Sequence, residues 1–249
     1  EKKFMDTQEI VGKFFLVLGV LSCLLTQAAW SDDHLSVDLD TGFYSDYMFR
    51  GTQLYDGISI QPSVGAAYDT DIGSFSASVW AHFSAEGRTS ASTKFTEIDY
   101  TVGYERSFGA LGVAVGHVWY TYPRDSDGID NSAEVFASLS YDMVLSPSLS
   151  IYHDYDEFDA QYYELGLSHL LEVPTLGEGF AFTPFVNVGF ASDADKVYAD
   201  DGLVQVTFGT YFDLALGDVA ITPSLNYTAE SDDVAENEFW MGTSLSYSF

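Results

Sequence analysis

From Leu35 onward the chain alternates apolar and polar side chains with a period of two. In "LSVDLDTGFYSDYMFRG", Leu35, Val37 and Leu39 oppose Ser36, Asp38 and Asp40. "ISIQPSVGAAY" sets Ile58, Ile60, Pro62, Val64, Ala66 and Tyr68 against Ser59, Gln61, Ser63 and Gly65. "SFSASVWAHFS" sets Phe75, Ala77, Val79, Ala81 and Phe83 against Ser74, Ser76, Ser78, Trp80 and His82. The rhythm continues through "TEIDYTVGYER", "LGVAVGHVWYTY", "SAEVFASLSYD", "SLSIYHDYD", "QYYELGLSHLLE", "FAFTPFVNVGFAS", "LVQVTFGTYFDL", "VAITPSLNYTAE" and the terminal "EFWMGTSLSYSF", which makes twelve candidate strands. Successive side chains of a strand point to opposite faces, so each segment has one apolar face and one small, polar face. Segments of about ten residues match the length of a tilted membrane strand.

The breaks between segments are of two kinds. "DTDIG", "SFGA", "MVLSP", "EVPTLGEG" and "ALGD" are mostly short, with Gly, Pro or Asp supplying turn geometry. "TQLYDG", "EGRTSASTK", "PRDSDGIDN", "DEFDA", "SDADKVYADDG" and "SDDVAEN" are on average longer and mostly acidic. Short turns on one side and longer loops on the other are the asymmetry of an outer-membrane barrel, and an even strand count puts both ends of the barrel on the periplasmic side. A soluble sandwich also hides one apolar face. Three features favour the barrel. The polar face is rich in Ser, Gly and Thr. Aromatics crowd the strand ends (Phe43, Tyr47, Phe49; Tyr100, Tyr104; Trp119, Tyr120; Phe239, Trp240), as interfacial girdles do. The third is an export leader. Lys2, Lys3 and Lys13 precede the apolar run Phe14 to Leu25, which is too short to span a bilayer, and "TQAAW" follows. The expected organisation is a signal peptide over 1–29 and an all-β, antiparallel, up-and-down transmembrane β-barrel of about 12 strands over 30–249.

Composition narrows the function. With 9 basic and 38 acidic residues the net charge is −29. Loss of the leader leaves it unchanged, because Lys2, Lys3 and Lys13 balance Glu1, Asp6 and Glu9. That charge argues against nucleic acid and against lysine-rich contact with anionic membranes. The 19 Phe and 17 Tyr argue against an acidic disordered chain. The single cysteine, Cys23, excludes an internal disulfide framework and cysteine-clustered zinc.

The block "GFYSDYMFRGTQLYDGISIQPSVGAAYD", followed by "GSFSASVWA", resembles the TorF-type porin family, most strongly over Ser45 to Gly51. The "Glu-x-Asp" strand with Glu97 and Asp99, "VWYTYP" and "YYELGLSHLLE" are similar too. The resemblance covers most of 35–172 and implies a porin-like architecture rather than a particular solute. The terminal strand, with Tyr247 two places before Phe249, resembles the C-terminal signal that outer-membrane assembly machinery reads. The partners expected on this reading are that machinery, the lipid bilayer and lipopolysaccharide, and the expected location is the bacterial outer membrane.

On the alternation, the lumen face carries Asp38, Asp40, Asp46, Glu97, Asp99, Glu105, Glu134, Asp154, Asp156, Glu164 and Asp213, with Arg50 as the clearest inward base. Carboxylate-lined paths favour cations. The function read from these positions is a porin-like channel for passive passage of small solutes, cation-preferring. The rivals are a non-conducting structural or adhesive barrel and a barrel hydrolase. The sequence has no GxxxxGK, HExxH or GxSxG motif. The hydrolase rival rests on His153 with Asp154 and Asp156, and on Ser168 with His169; neighbouring strand residues face opposite ways, so neither adjacent pair can couple directly. The acidic loops Asp125 to Asp130 and Asp193 to Gly202 lack the EF-hand spacing, so no metal site and no cofactor is assigned.

Overall fold

The computed structural model describes residues 34–85, 95–123, 130–173, 181–193, 201–230 and 237–249. The leader read over 1–29 lies outside them, as do most of the acidic segments at 125–130 and 193–202. Every period-two segment forms a strand. In chain order they are β1 (Leu35–Phe49), β2 (Thr52–Thr70), β3 (Gly73–Ser84), β4 (Phe95–Phe108), β5 (Leu111–Thr121), β6 (Ser132–Tyr141) and β7 (Ser148–Asp154). There follow β8 (Gln161–Ser168), β9 (Leu171–Glu172), β10 (Ala181–Ser192), β11 (Gly202–Tyr211), β12 (Leu214–Leu216), β13 (Val219–Glu230) and β14 (Glu238–Ser248).

Strands β8 and β9 both pair with β10, and β11 and β12 both pair with β13, so each of these couples is one interrupted stave. All pairings are antiparallel between neighbours, and β1 pairs with β14 from Asp38↔Ser248 to Tyr44↔Gly242. The result is a closed barrel of twelve staves. Closure satisfies the backbone without an open edge, which lipid demands. No helix of the described residues is long and apolar enough to cross a membrane; the strands are the elements suited to doing so.

The burial pattern is the reverse of a soluble protein. Phe75, Tyr100, Val102, Leu165, Phe208 and Met241 are exposed on the outer wall, while Ser59, His82, Glu97, Glu134, Asn226 and Thr228 are buried inside. An apolar exterior and polar interior follow from hydrocarbon outside and water within.

At one end the staves are joined by turns such as those after Thr70, Phe108 and Tyr141; this is the turn end. The other end, the loop end, differs from expectation in one connection. "TQLYDG" reads as a loop, yet Thr52–Gly57 belong to β2, and the turn after β1 is Arg50 and Gly51 alone. Strands β1 and β2, of 15 and 19 residues, therefore run on past their neighbours as one long hairpin. Register shifts lie between Tyr44 and Asp46 and between Tyr47 and Met48, with others at His82/Phe83 and Gly189/Phe190. Such bulges bend a strand and increase its twist.

Candidate functional site

The bent hairpin tip enters the bore. Arg50 (φ 49°) and Gly51 (φ 89°) both adopt left-handed backbone conformations, which turn the chain sharply. The Arg50 guanidinium crosses to β6 and donates two hydrogen bonds to Glu134, from Nη1 to Oε2 at 2.9 Å and from Nη2 to Oε1 at 2.7 Å. This fork-to-fork pair is the strong form of a charged hydrogen bond. Tyr120 on β5 donates to the same Oε1 at 2.8 Å. The guanidinium also lies over the rings of Tyr152 on β7 and Tyr162 on β8, at 4.2 and 4.8 Å from their centroids. Gly51 abuts β11 so closely that a Cβ there would collide with the Gln205 side chain. One hairpin tip thus touches β6, β7, β8 and β11, on the facing wall.

A second polar layer surrounds this contact. Tyr47 donates to Glu97 at 2.9 Å and stacks on His82 at 4.4 Å between ring centroids. Asp99 Oδ1 is buried with no hydrogen-bond partner among the described residues. Asp46 is buried and accepts from Gln53 at 2.9 Å and from Ser45. Tyr162 receives a hydrogen bond from Gln205 at 3.0 Å and donates to Glu164 at 3.1 Å. Thr207 and Thr228 are 3.0 Å apart, and Trp240 donates to Thr228 at 3.2 Å.

The lumen is wide at the turn end and narrow at the loop end. A cavity of about 500 Å³ at the turn end is lined by Ser74, Glu105, Gly112, Ala114 and Ser138 among others, and one of about 270 Å³ by Ser148, Gly166, Ser168, Phe185 and Asn187. Around the hairpin tip the cavity lined by Phe49, Arg50, Glu134, Asp154 and Tyr162 holds only about 60 Å³.

The carboxylates read from the sequence fall into distinct places. Arg50, Glu134, Asp154 and Glu164 meet at or near the constriction, with Glu97 and Asp99 beside it. Asp154 accepts from Ser132 at 2.6 Å and from the backbone N–H of Asp156 and Phe158, so it also pins the β7–β8 connection. Asp38 and Asp40 sit near the turn end and accept from Ser248 and Ser246 of β14. Glu105 lines the wide cavity. One assignment is corrected. Asp156 is not on a strand face but exposed in the β7–β8 connection, because β7 ends at Asp154. Asp213 lies in the break between β11 and β12, where it accepts from Thr222 at 3.2 Å. The alternation predicts an interfacial Tyr47, but the bulge after Tyr44 turns it inside, 6% exposed. Its only local sequence signal is the faltering alternation at Ser45–Asp46. Tyr247 and Phe249 make an edge-on ring pair at 4.7 Å, and Phe249 and Val37 exchange backbone hydrogen bonds that extend the β1–β14 seam. His153 pairs with Val135 on the outer face while Asp154 points in, which separates that couple.

A bacterial family of unknown function, Gcw_chp, has a model that matches residues 28–177, more than half of the chain. The chain belongs to the Gcw_chp family. The matched region holds the hairpin tip, Glu97, Glu134 and Tyr162, so most of the constriction lies in the part shared with Gcw_chp proteins. No curated protein matches the sequence significantly. Among solved structures, this Gcw_chp chain is similar to the COG4313 outer-membrane channel from Pseudomonas putida F1, with a TM-score of 0.57 at 12% identity over 87% of this chain and 96% of that one. The NanC porin gives 0.52 at 12% identity, over 85% and 98%. LpxR from Salmonella typhimurium gives 0.51 at 11% identity, over 85% and 99%. At these identities the likeness is one of fold: outer-membrane barrels, porins and channels among them.

Proposed function

We propose that the protein sits in the bacterial outer membrane as a narrow, cation-preferring channel for small solutes, with the β1–β2 hairpin tip as its constriction. One observation carries this reading: a polar lumen with a 500 Å³ vestibule narrows onto the hairpin tip, where Arg50 pairs with Glu134. Carboxylates outnumber bases along that path. Glu105 and Asp40 face the wide half of the lumen, and Arg50 is already neutralised by Glu134. Fixed negative charge lowers the energy of cations in a narrow aqueous path and raises that of anions. The resemblance to TorF-type porins supports the same reading. The turn end, which carries the β1–β14 seam with Tyr247 and Phe249, faces the periplasm, and the loop end faces outward, where lipopolysaccharide would meet it.

The sealed structural barrel is the rival, and the 60 Å³ left at the constriction favours it. Planar-bilayer recording of the purified protein separates the two. A stepwise conductance with a reversal potential of cationic sign in a KCl gradient is expected. Well-folded protein without conductance would leave the sealed barrel.

A further inference from the structure

We propose that the space filled by the Arg50 head is a guanidinium-binding site, and that Arg50 is a tethered occupant competing there with guanidinium-bearing solutes. The inference rests on the channel reading for the passage of such solutes, but not for their binding. Glu134 is 1% exposed, so its carboxylate is held out of water and needs a charged partner. The Tyr120 hydroxyl, at 2.8 Å from Oε1, fixes the orientation in which both oxygens face the bore. A planar fork satisfies both oxygens together; an ammonium offers a single compact charge and fits less well. Tyr152 and Tyr162 supply ring faces at 4.2 and 4.8 Å, which attract a weakly hydrated planar cation. Carboxylate fork, orienting hydroxyl and aromatic faces are the parts of a guanidinium receptor, and the four strands that supply them, β5, β6, β7 and β8, are all separate from the hairpin. The occupant comes on a turn whose Arg50 has an unfavourable positive φ. The 60 Å³ beside it leaves room for a small substituent on the bound group.

A free guanidinium must compete with a tethered one of high local concentration, so the wild-type protein should respond weakly. The test uses methylguanidinium on full-length protein purified in detergent and in bilayers. In Arg50→Ala, methylguanidinium at low millimolar concentration should raise the thermal unfolding midpoint and block current, while methylammonium at the same concentration does much less. Arg50→Ala combined with Glu134→Gln should lose both responses. If Arg50→Ala folds poorly, methylguanidinium in the refolding buffer should restore the yield of heat-modifiable barrel, and Arg50→Gln carries the same measurements. Equal responses to the two cations, persistence in the double variant, or no rescue of refolding would overturn the site. Binding without current in any variant would retain the site and remove the channel reading; current with no preference for methylguanidinium would do the reverse.

Discussion

At the scale of single residues the constriction hangs on Glu134 and Gly51. Glu134→Gln keeps the shape but leaves the Arg50 charge, 15% exposed at its side chain, without its partner. Breaking such a pair should cost on the order of 2–3 kcal/mol, below the loss for a fully desolvated pair because Arg50 keeps some contact with water. Thermal unfolding in detergent measures it, and an unchanged midpoint would mean that the pair contributes nothing. Gly51→Ala meets two obstacles, a backbone at φ 89° and the Gln205 side chain. The first alone costs about 1–3 kcal/mol, and relief of the second requires the tip to move away from β11. The variant should be less stable than wild type while still forming a barrel, as judged by heat-modifiable migration. The alternation places both Arg50 and Glu134 on the lumen face, but their pairing was not legible, because they stand 84 positions apart.

At the scale of the strands, the alternation was almost fully legible, because lipid and water impose opposite demands on the two faces of every stave. Val79 pairs across to Val64 and Tyr100 on the outer wall, and Ser78 pairs with Gly65 and Thr101 on the inner one. Val79→Arg should therefore reduce insertion, at a cost of about 2–4 kcal/mol near mid-membrane, while Ser78→Arg inserts normally. Comparable amounts of both variants in the outer-membrane fraction would mean that the faces are reversed. Parity counting failed where the ladder slips. A register shift between Tyr44 and Asp46 is set by cross-strand hydrogen bonds, not by side-chain type, so counting by twos past Ser45 put Tyr47 on the wrong face. The same hairpin made Thr52–Gly57, rich in turn-forming residues, read as a loop. Gly57, at φ 136°, is accommodated inside β2, where pairing to β1 outweighs local preference.

At the scale of the whole molecule, charge and shape act together. Asp40 and Glu105 face the wide half, where a permeating ion first meets the wall from the turn end. Asp40→Asn with Glu105→Gln should shift the reversal potential toward zero without loss of folded protein. The shift should be smaller in 1 M salt, where the screening length falls to about 3 Å. Neutralising Asp125, Asp127 and Asp130 is the control for loop charge. Barrel closure was readable from the segment count; the inward hairpin was not, since it uses no long loop. The most direct measurement is the single-channel conductance of Arg50→Ala relative to wild type under identical salt. If the β1–β2 tip sets the bore, removing the side chain that fastens it to Glu134 should raise the conductance. An unchanged conductance in a correctly folded Arg50→Ala barrel would contradict the assignment of the hairpin tip as the constriction.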